Sequence, residues 1–388
     1  SDVYKRQLLE GDGLRVVAIC GWEQNMRRIE MFPLNQESAA VRVVRARTPI
    51  VISDTRTAPE WHTTYPLQDE IRSWLGVPLV AKGRVLGVLN IDSRRPDRFL
   101  PRDVEVALTF ASQAAVSLEN ARLYAESITR VEQELVIARQ IQSNLFPHDL
   151  PKVAGLQLAA RCLPARETGG DFYDCFILNP TVSAVGGWAS DVINQQGILA
   201  LMVGDASGKS IPGAMLMAVA RSVARSEARD HIEPAAVMCE TNQLVALDVP
   251  RGSFVALTYA TIDLRTQRLA LSSAGQIAPI RRRRDGHLEE LLPSGPALPL
   301  GIRHETAYLA LEVDLMPGDT LVFFTDGLVE AHDPARHMFG FEQVEHLIRE
   351  YGDRAPDELI EILLDAVYGF IGPTPQHDDI TVLVVKVL

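Results

Sequence analysis

The sequence predicts an α+β chain: a smaller domain of short strands closed by a helix, a helical connection, and a larger domain of stacked sheets with helices outside. Three observations carry this. The chain has 388 residues, room for two or three domains at roughly 100–200 residues each. Hydrophobic residues make up 47% and charged residues 23%, the balance of packed cores and not of a disordered chain. Short β-branched runs alternate with turn signals towards both ends, and between them lies a helical stretch free of Gly and Pro until Pro147.

Taken in order, residues 1–118 form the first domain. Leu14–Cys20, closed by Gly21, and Pro49–Ser53 read as strands. Leu75–Ala81 and Val85–Ile91 flank Lys82-Gly83-Arg84 as a hairpin. Pro101-Arg102-Asp103 opens a helix with an apolar stripe of Val104, Ala107, Leu108, Ala111, Ala115 and Leu118. The helix continues through residues 119–147. There Ala121, Tyr124, Ile128, Val131, Leu135 and Ala138 recur at alternating steps of three and four, with Glu126, Arg130, Glu132, Glu134 and Arg139 between them. A 3.5-residue period asks for a partner helix, so a homodimer is expected, with a linker lying on its own chain as the alternative. Residues 148–388 form the second domain. Strands are expected at Ile198–Val203, Phe254–Leu264, Arg268–Ser272, Thr320–Phe324 and Ile380–Val387, and helices at Pro212–Arg229, Pro234–Leu247, Phe341–Glu350 and Ala355–Phe370. The basic run Arg281–Arg284 reads as a solvated hairpin, or as a dock for an acidic or phosphorylated partner.

Charge and cysteines exclude several function classes. Lys plus Arg is 38 and Asp plus Glu is 50, a formal charge of −12. Nucleic acid needs a basic face, and so does an anionic membrane; neither partner is expected. The four cysteines form no CxxC pair, which removes zinc ribbons and thioredoxin-like centres, and their scatter favours a reducing, cytoplasmic compartment. No run approaches the 18 or so apolar residues of a membrane span, and the polar, charged stretch from Ser1 to Leu14 is no signal peptide. The chain starts without Met and is expected to begin inside its first domain, so that domain is expected to be cut short.

The acidic residues are not scattered. Gly169-Gly170-Asp171-Phe172-Tyr173-Asp174, Val203-Gly204-Asp205, Thr325-Asp326-Gly327 and Asp378-Asp379-Ile380 each set a carboxylate at the border of an apolar run, three of them beside glycine. A lone charge there is costly unless paired or bound to metal. Glycine permits the close backbone approach of a tight site, although any one such Asx-Gly is ordinary turn chemistry. Four in one domain point to hard oxygen ligands for two Mg²⁺ or Mn²⁺ ions. Two such ions can share a water, lower its pKa and clamp the oxygens of a phosphoryl displacement. The pattern therefore predicts a phosphate-ester hydrolase without a protein nucleophile; it contains no GxSxG elbow and no HxH pair.

With these motifs in hand, residues 136–388 resemble the SpoIIE/RsbU-type bacterial phosphatases of the PPM class of metal-dependent Ser/Thr phosphatases. Ala138–Pro147 looks like the family's first helix. Glu167–Asp174 is similar to EVGGDFYD, Gly204–Lys209 to GDVSGKG, Thr325–Ala331 to TDGLxEA, Asp378–Thr381 to DDIT, Ser273–Gln276 to NAGH and Pro299–Gly301 to PLG. The resemblance implies an αββα sandwich with a dinuclear Mn²⁺ or Mg²⁺ centre between the sheets. It implies that Asp205 bridges both ions, that the Ala206 carbonyl is a ligand, that Asp326 and Asp378 complete one ion and that Asp171 holds the other side. Glu167, Asp174 and Asp379 are expected around these ligands. Ser210, Gly213 and Gln276 depart from the family's Gly, Ala and His. Cys175–Ser190 looks like an insertion forming a surface loop. Residues from about 10 to 118 resemble a GAF domain at Ser73–Leu79 and Gly87–Asp92, which implies an α/β sensor for a small ligand or another subunit; Cys20, Trp22 and Trp61 are expected to be ordinary packing.

The resemblance implies a protein Ser/Thr phosphatase in bacterial signalling and sigma-factor regulation, controlled by the GAF domain. It implies a phosphorylated STAS-type anti-sigma-factor antagonist as substrate. Lys209 could meet substrate phosphate, and His377 could donate a proton to the leaving oxygen. The rivals are an inactive phosphatase-fold scaffold and a two-metal nuclease or cyclic-nucleotide phosphodiesterase.

Overall fold

A computed structural model describes residues 3–21, 31–59, 61, 70–178, 197–250, 252–295 and 297–388. The chain divides into two compact units, Ser1–Val131 and Glu132–Leu388.

The first unit is built on strands β1 (Val3–Glu10), β2 (Gly13–Cys20), β3 (Met31–Pro33), β4 (Ile50–Ile52), β5 (Ser73–Ala81) and β6 (Arg84–Ser93), with helix α1 (Ala39–Ala46) between β3 and β4. They form one antiparallel sheet in the order β3-β2-β1-β6-β5-β4. The expected hairpin is β5–β6, turned by Lys82 (φ 47°) and Gly83 (φ 75°), the two positive φ values that a tight hairpin turn requires. Alternation along β5 supplies both faces. Leu75, Val77 and Leu79 pack with Ala107, Ala111 and Ala115 of helix α2 (Pro101–Ser143), while Trp74 joins Leu14, Val41 and Val43 on the other face. Most of the polar opening stretch is the strand β1. Its buried polar side chains are answered across the sheet: Asn90 donates to Gln7 at 2.8 Å and Lys5 lies 3.0 Å from Asp92. Trp61 packs near Trp74 with ring centroids 6.1 Å apart, and Cys20 is exposed. Trp22 lies outside the described residues.

Helix α2 is continuous over 43 residues. Ala107, Ala111 and Ala115 of its N-terminal stripe are buried and Val104, Leu108 and Leu118 half-buried, whereas Tyr124, Ile128 and Val131 of the heptad seam are exposed in the single chain. Among the described residues no helix is long and apolar enough to cross a membrane.

The second unit contains β7 (Leu156–Leu163), β8 (Asp171–Leu178), β9 (Ile198–Ala206), α3 (Ile211–Asp230), α4 (Pro234–Asp248), β10 (Val255–Asp263), β11 (Arg268–Ala274), β12 (Ile280–Arg282), β13 (Leu288–Glu290), β14 (Leu311–Asp314), β15 (Thr320–Phe324), α5 (Asp326–Val329), α6 (Gly340–Tyr351), α7 (Pro356–Ile371) and β16 (Ile380–Val387). Two five-stranded antiparallel sheets result, β14-β11-β10-β9-β8 and β13-β12-β15-β16-β7. Three cores separate four layers. Leu201 and Val203 of β9 meet Phe323, Leu383 and Val385 between the sheets. Met202 and Tyr259 pack with Met217 and Val237 of α3 and α4 on one outer face. Val322, Val382 and Val384 pack with Val344, Leu363 and Val367 of α6 and α7 on the other. This is the expected α+β arrangement of stacked sheets between outer helices.

Two expectations change. Cys175, Phe176 and Leu178 are buried residues of β8 and not the start of an insertion, because their side chains fill the inner and outer cores in alternation; the remainder of that stretch lies outside the described residues. The Arg281–Arg284 run is not simply solvated. Arg281 points inwards, donates to Asp319 at 3.0 Å and to the Asp314 carbonyl at 2.9 Å, and is 5% exposed.

Candidate metal centre

Strand parity explains how the acidic residues come together. Along β9, Leu199, Leu201 and Val203 face the other sheet, and two residues on Asp205 shares that face at the strand's end. Along β8, Tyr173, Cys175 and Ile177 face inwards, and the same parity turns Asp171 inwards. The two are register partners, Asp171 opposite Asp205. Beside them in the facing sheet, Thr325 follows β15 and Asp378-Asp379 precede β16.

Asp171 is fully buried. Its Oδ2 accepts a hydrogen bond from Thr325 Oγ1 at 2.6 Å, and Thr325 in turn accepts from the Thr381 amide at 2.9 Å. Burial first, and then the charge of Asp205, push its carboxyl well above the usual range. Asp205 is pushed up to about 7, again by burial first and then by Asp326, Asp378 and Asp379. Burial, Glu330 and Asp378 likewise raise Asp326, the first residue of α5. The ends of four chain segments thus bring carboxylates within electrostatic reach of one another, in a place where repulsion exceeds pairing.

The turn that carries Asp171 is held from two directions. Asp379 accepts from the amides of Ala165 at 2.8 Å and Gly170 at 2.7 Å. Gln142, near the end of α2, donates to the Gly169 carbonyl at 2.6 Å and accepts from the Gly169 amide at 3.2 Å. A side chain at Gly170 would collide with the Ala206 carbonyl, and one at Gly169 with Asp379, so the paired glycines are what lets the turn lie against the end of β9.

A small cleft of about 80 Å³ opens here, lined by Arg166, Gly170, Asp205, Lys209 and Asp378 among others. Asp378 is 43% exposed and lies 3.3 Å from Lys209 Nζ. His377 lines the same cleft, and its ring meets that of His332 edge-on at 4.9 Å. The carboxylates and the Ala206 carbonyl are the hard oxygen donors that Mg²⁺ and Mn²⁺ take, and the mutual repulsion of these carboxylates is what a divalent cation relieves. In the geometry present, no three acidic, His or Cys side chains among the described residues close on one point as ligands. Asp378 is turned to Lys209 and Asp171 to Thr325.

The structure separates the remaining expected residues. Asp379 organises the Gly169-Gly170 turn. Asp174, expected near the ligands, faces the opposite way: it is completely buried on the helix side of β8 and accepts from Arg225 at 2.7 Å, with Arg221 at 2.9 Å. An odd number of residues separates the faces of a strand, so Asp171 and Asp174 cannot share one. Glu167 is exposed and does not line the cleft. Sequence reasoning missed Thr325, Gln142 and Arg166. Thr325 immediately precedes Asp326 and continues the inward parity of Leu321 and Phe323, a signal that was available; Gln142 carried none.

Residues 195–388, half of the chain, match the family described as stage II sporulation protein E (SpoIIE), and residues 9–119 match the GAF domain. The Protein IcfG of Synechocystis sp. is 26% identical over 288 residues, covering 67% of this chain and 42% of that protein, so the chain spans less than half of IcfG. The phosphoserine phosphatase RsbU of Bacillus subtilis is 24% identical over 295 residues, covering 74% of this chain and 81% of that protein. Among solved structures, the SiaA-PP2C domain of Pseudomonas aeruginosa is similar with a TM-score of 0.55 at 24% identity, over 68% of this chain and 98% of that one. The likeness shows the fold of the second unit.

Proposed function

The chain belongs to the stage II sporulation protein E family, and from that premise we propose that it is a metal-dependent protein serine/threonine phosphatase governed by its GAF domain. The observation that carries the reading is the set of buried and half-buried carboxylates whose pKa values rise together at the ends of β8, β9 and β15, with Asp378 beside them. Asp205, Asp326, Asp378 and the Ala206 carbonyl are assigned to hold two Mn²⁺ or Mg²⁺ ions, with Asp171 on the far side. Bound there, two divalent ions supply an activated water and offset charge on the phosphoryl oxygens. The chain's own residues do the rest. Thr325 fixes the orientation of Asp171, Asp379 and Gln142 set the Gly169-Gly170 turn, and Arg166 and Lys209 present cations to the phosphate of a phosphoserine or phosphothreonine at the cleft.

The substrate proposed is a phosphorylated STAS-type anti-sigma-factor antagonist in the cytoplasm. The exposed seam of Tyr124, Ile128 and Val131 supports a homodimer in which GAF ligand binding shifts α2. Gln142 makes that shift consequential, because it joins the end of α2 to the metal turn. Deleting residues 1–118 is expected to change both regulation and oligomeric state.

The test is Mn²⁺-dependent dephosphorylation of a phosphopeptide by the wild type and by Asp205→Asn. Equal rates would sink the assignment. Mn²⁺ binding without hydrolysis would favour the scaffold reading, and turnover of cyclic nucleotides in place of the phosphopeptide would favour a phosphodiesterase.

A further inference from the structure

Lys209 sits in the loop between β9 and α3. Its Nζ is 3.3 Å from Asp378 Oδ2 and 3.4 Å from the His377 carbonyl, across the rim of the cleft. Both side chains are about half exposed (49% and 43%), so this pair is weak and exchangeable, unlike a buried bridge. Two features of the loop set where the lysine lies. Ser210 holds φ 70° and ψ −142°, a conformation that suits glycine and strains a residue with a Cβ. Gly213, one turn on, lies so close beneath the Gly208 carbonyl that any side chain there would collide with it. The loop therefore lies down on the first turn of α3, and it does so at two of the three positions where this chain departs from the pattern it resembles.

We propose that Lys209 is the site's internal counter-cation: in the ion-free protein its ammonium occupies Asp378, and a divalent cation takes that carboxylate only by displacing it. This rests on Asp378 being an ion ligand, as assigned above. Two consequences follow from charge alone. Ion affinity is lowered by the competition, since one cation must leave for another to enter. The displaced ammonium is then released at the mouth of the cleft, where an arriving phosphate meets it. Ion entry and readiness for substrate are coupled through one side chain.

The experiment titrates the full chain with MnCl₂ by calorimetry, for wild type, Lys209→Met, Lys209→Arg, Asp378→Asn and the Lys209→Met/Asp378→Asn pair. It also reads each melting temperature in EDTA. Lys209→Met is expected to bind Mn²⁺ about three- to fivefold more tightly, the order set by one half-exposed ion pair, while its ion-free melting temperature falls. Lys209→Arg, which keeps the charge, is expected to bind like the wild type. In the Asp378→Asn background Lys209→Met is expected to change nothing, because the partner is gone. Equal or weaker Mn²⁺ binding by Lys209→Met overturns the counter-cation while leaving the metal centre standing. Absence of Mn²⁺ binding in the wild type overturns the metal centre itself, and the proposal with it.

Discussion

Asp171 and Asp174 lie three residues apart on β8, and both are buried, yet they stand on opposite faces of the strand. Asp174 faces the outer helices, where two guanidiniums of α3 meet it and the Arg225 cation also lies 4.4 Å over the Phe176 ring. Asp171 faces the other sheet, where a hydroxyl is its hydrogen-bond partner and its charged neighbours are further carboxylates. The first arrangement is complete as it stands. The second is an electrostatic deficit of the kind that the proposed ions would offset. Both carboxylates are costly to bury, and of the two only Asp174 carries its own counter-charge.

The largest expected effect lies on the deficit side. Asp205→Asn is expected to lower Mn²⁺-dependent phosphopeptide hydrolysis by about 10³-fold, since metal ions supply several kcal/mol of transition-state stabilisation. The same variant is expected not to lose ion-free stability, because it removes a repelled charge. On the closed side the signs reverse. Asp174→Asn is expected to cost about 3 kcal/mol in urea unfolding, as it strips two arginines, one of them largely buried, of their counter-charge. Its activity per folded molecule is expected to stay within about twofold of wild type. Loss of activity with stability intact in Asp174→Asn would break the comparison.

Much of this was legible in the sequence. The recurring Asp beside Gly at strand ends singled out Asp171, Asp205 and Asp326, and the border of the last apolar run singled out Asp378, because a carboxylate bordering an apolar run has few cheap explanations. The hairpin around Lys82-Gly83 and the helices from Pro212 and Pro234 were equally plain, since their signals are local. The separation of Asp171 from Asp174 was present as a parity of three but is overlooked when a motif is read as one block. What was not legible depends on packing across the chain. Arg221 and Arg225 are 50 residues from Asp174 in sequence or nearly so, and nothing local marks them as its partners. Gln142 meets Gly169 only because α2 ends beside the turn. The strand at Val3–Glu10 is masked by its polar residues, of which Gln7 and Lys5 are answered from β6.

Next in size is a pH dependence that belongs to the deficit side. The folded-state carboxyl of Asp205 is raised from 3.8 to about 7 by burial and its acidic neighbours. A group with a raised folded pKa binds its proton more tightly when folded, so its favourable contribution is full below about pH 4 and is lost as pH rises towards 7. Ion-free protein in EDTA is therefore expected to lose about 2 kcal/mol between pH 5 and 8, measured by urea unfolding. Asp205→Asn is expected to reduce that slope to the part that the raised carboxyls of Asp171 and Asp326 contribute, and saturating Mn²⁺ to abolish it. A slope undiminished in Asp205→Asn would assign it elsewhere.

The smallest effect tests the loop that joins the two faces, from the inner end of β9 to the helix that carries Arg221 and Arg225. Ser210 holds φ 70° there without a side-chain capping bond, so its hydroxyl offers no compensation for the strain. Glycine reaches the same conformation with no Cβ penalty but a larger entropy loss on folding, and the strain exceeds that loss in this region. Ser210→Gly is expected to stabilise the protein by about 1 kcal/mol, a rise of about 2–4 °C in the melting temperature for a domain of this size. The gain is expected in EDTA and in Mn²⁺ alike if the loop keeps its conformation when the ion enters. If Lys209 leaves Asp378 by a swing of the loop and not of its side chain alone, Ser210→Gly will instead stabilise the two states unequally. The difference between the two melting shifts then measures how far the backbone takes part in the exchange.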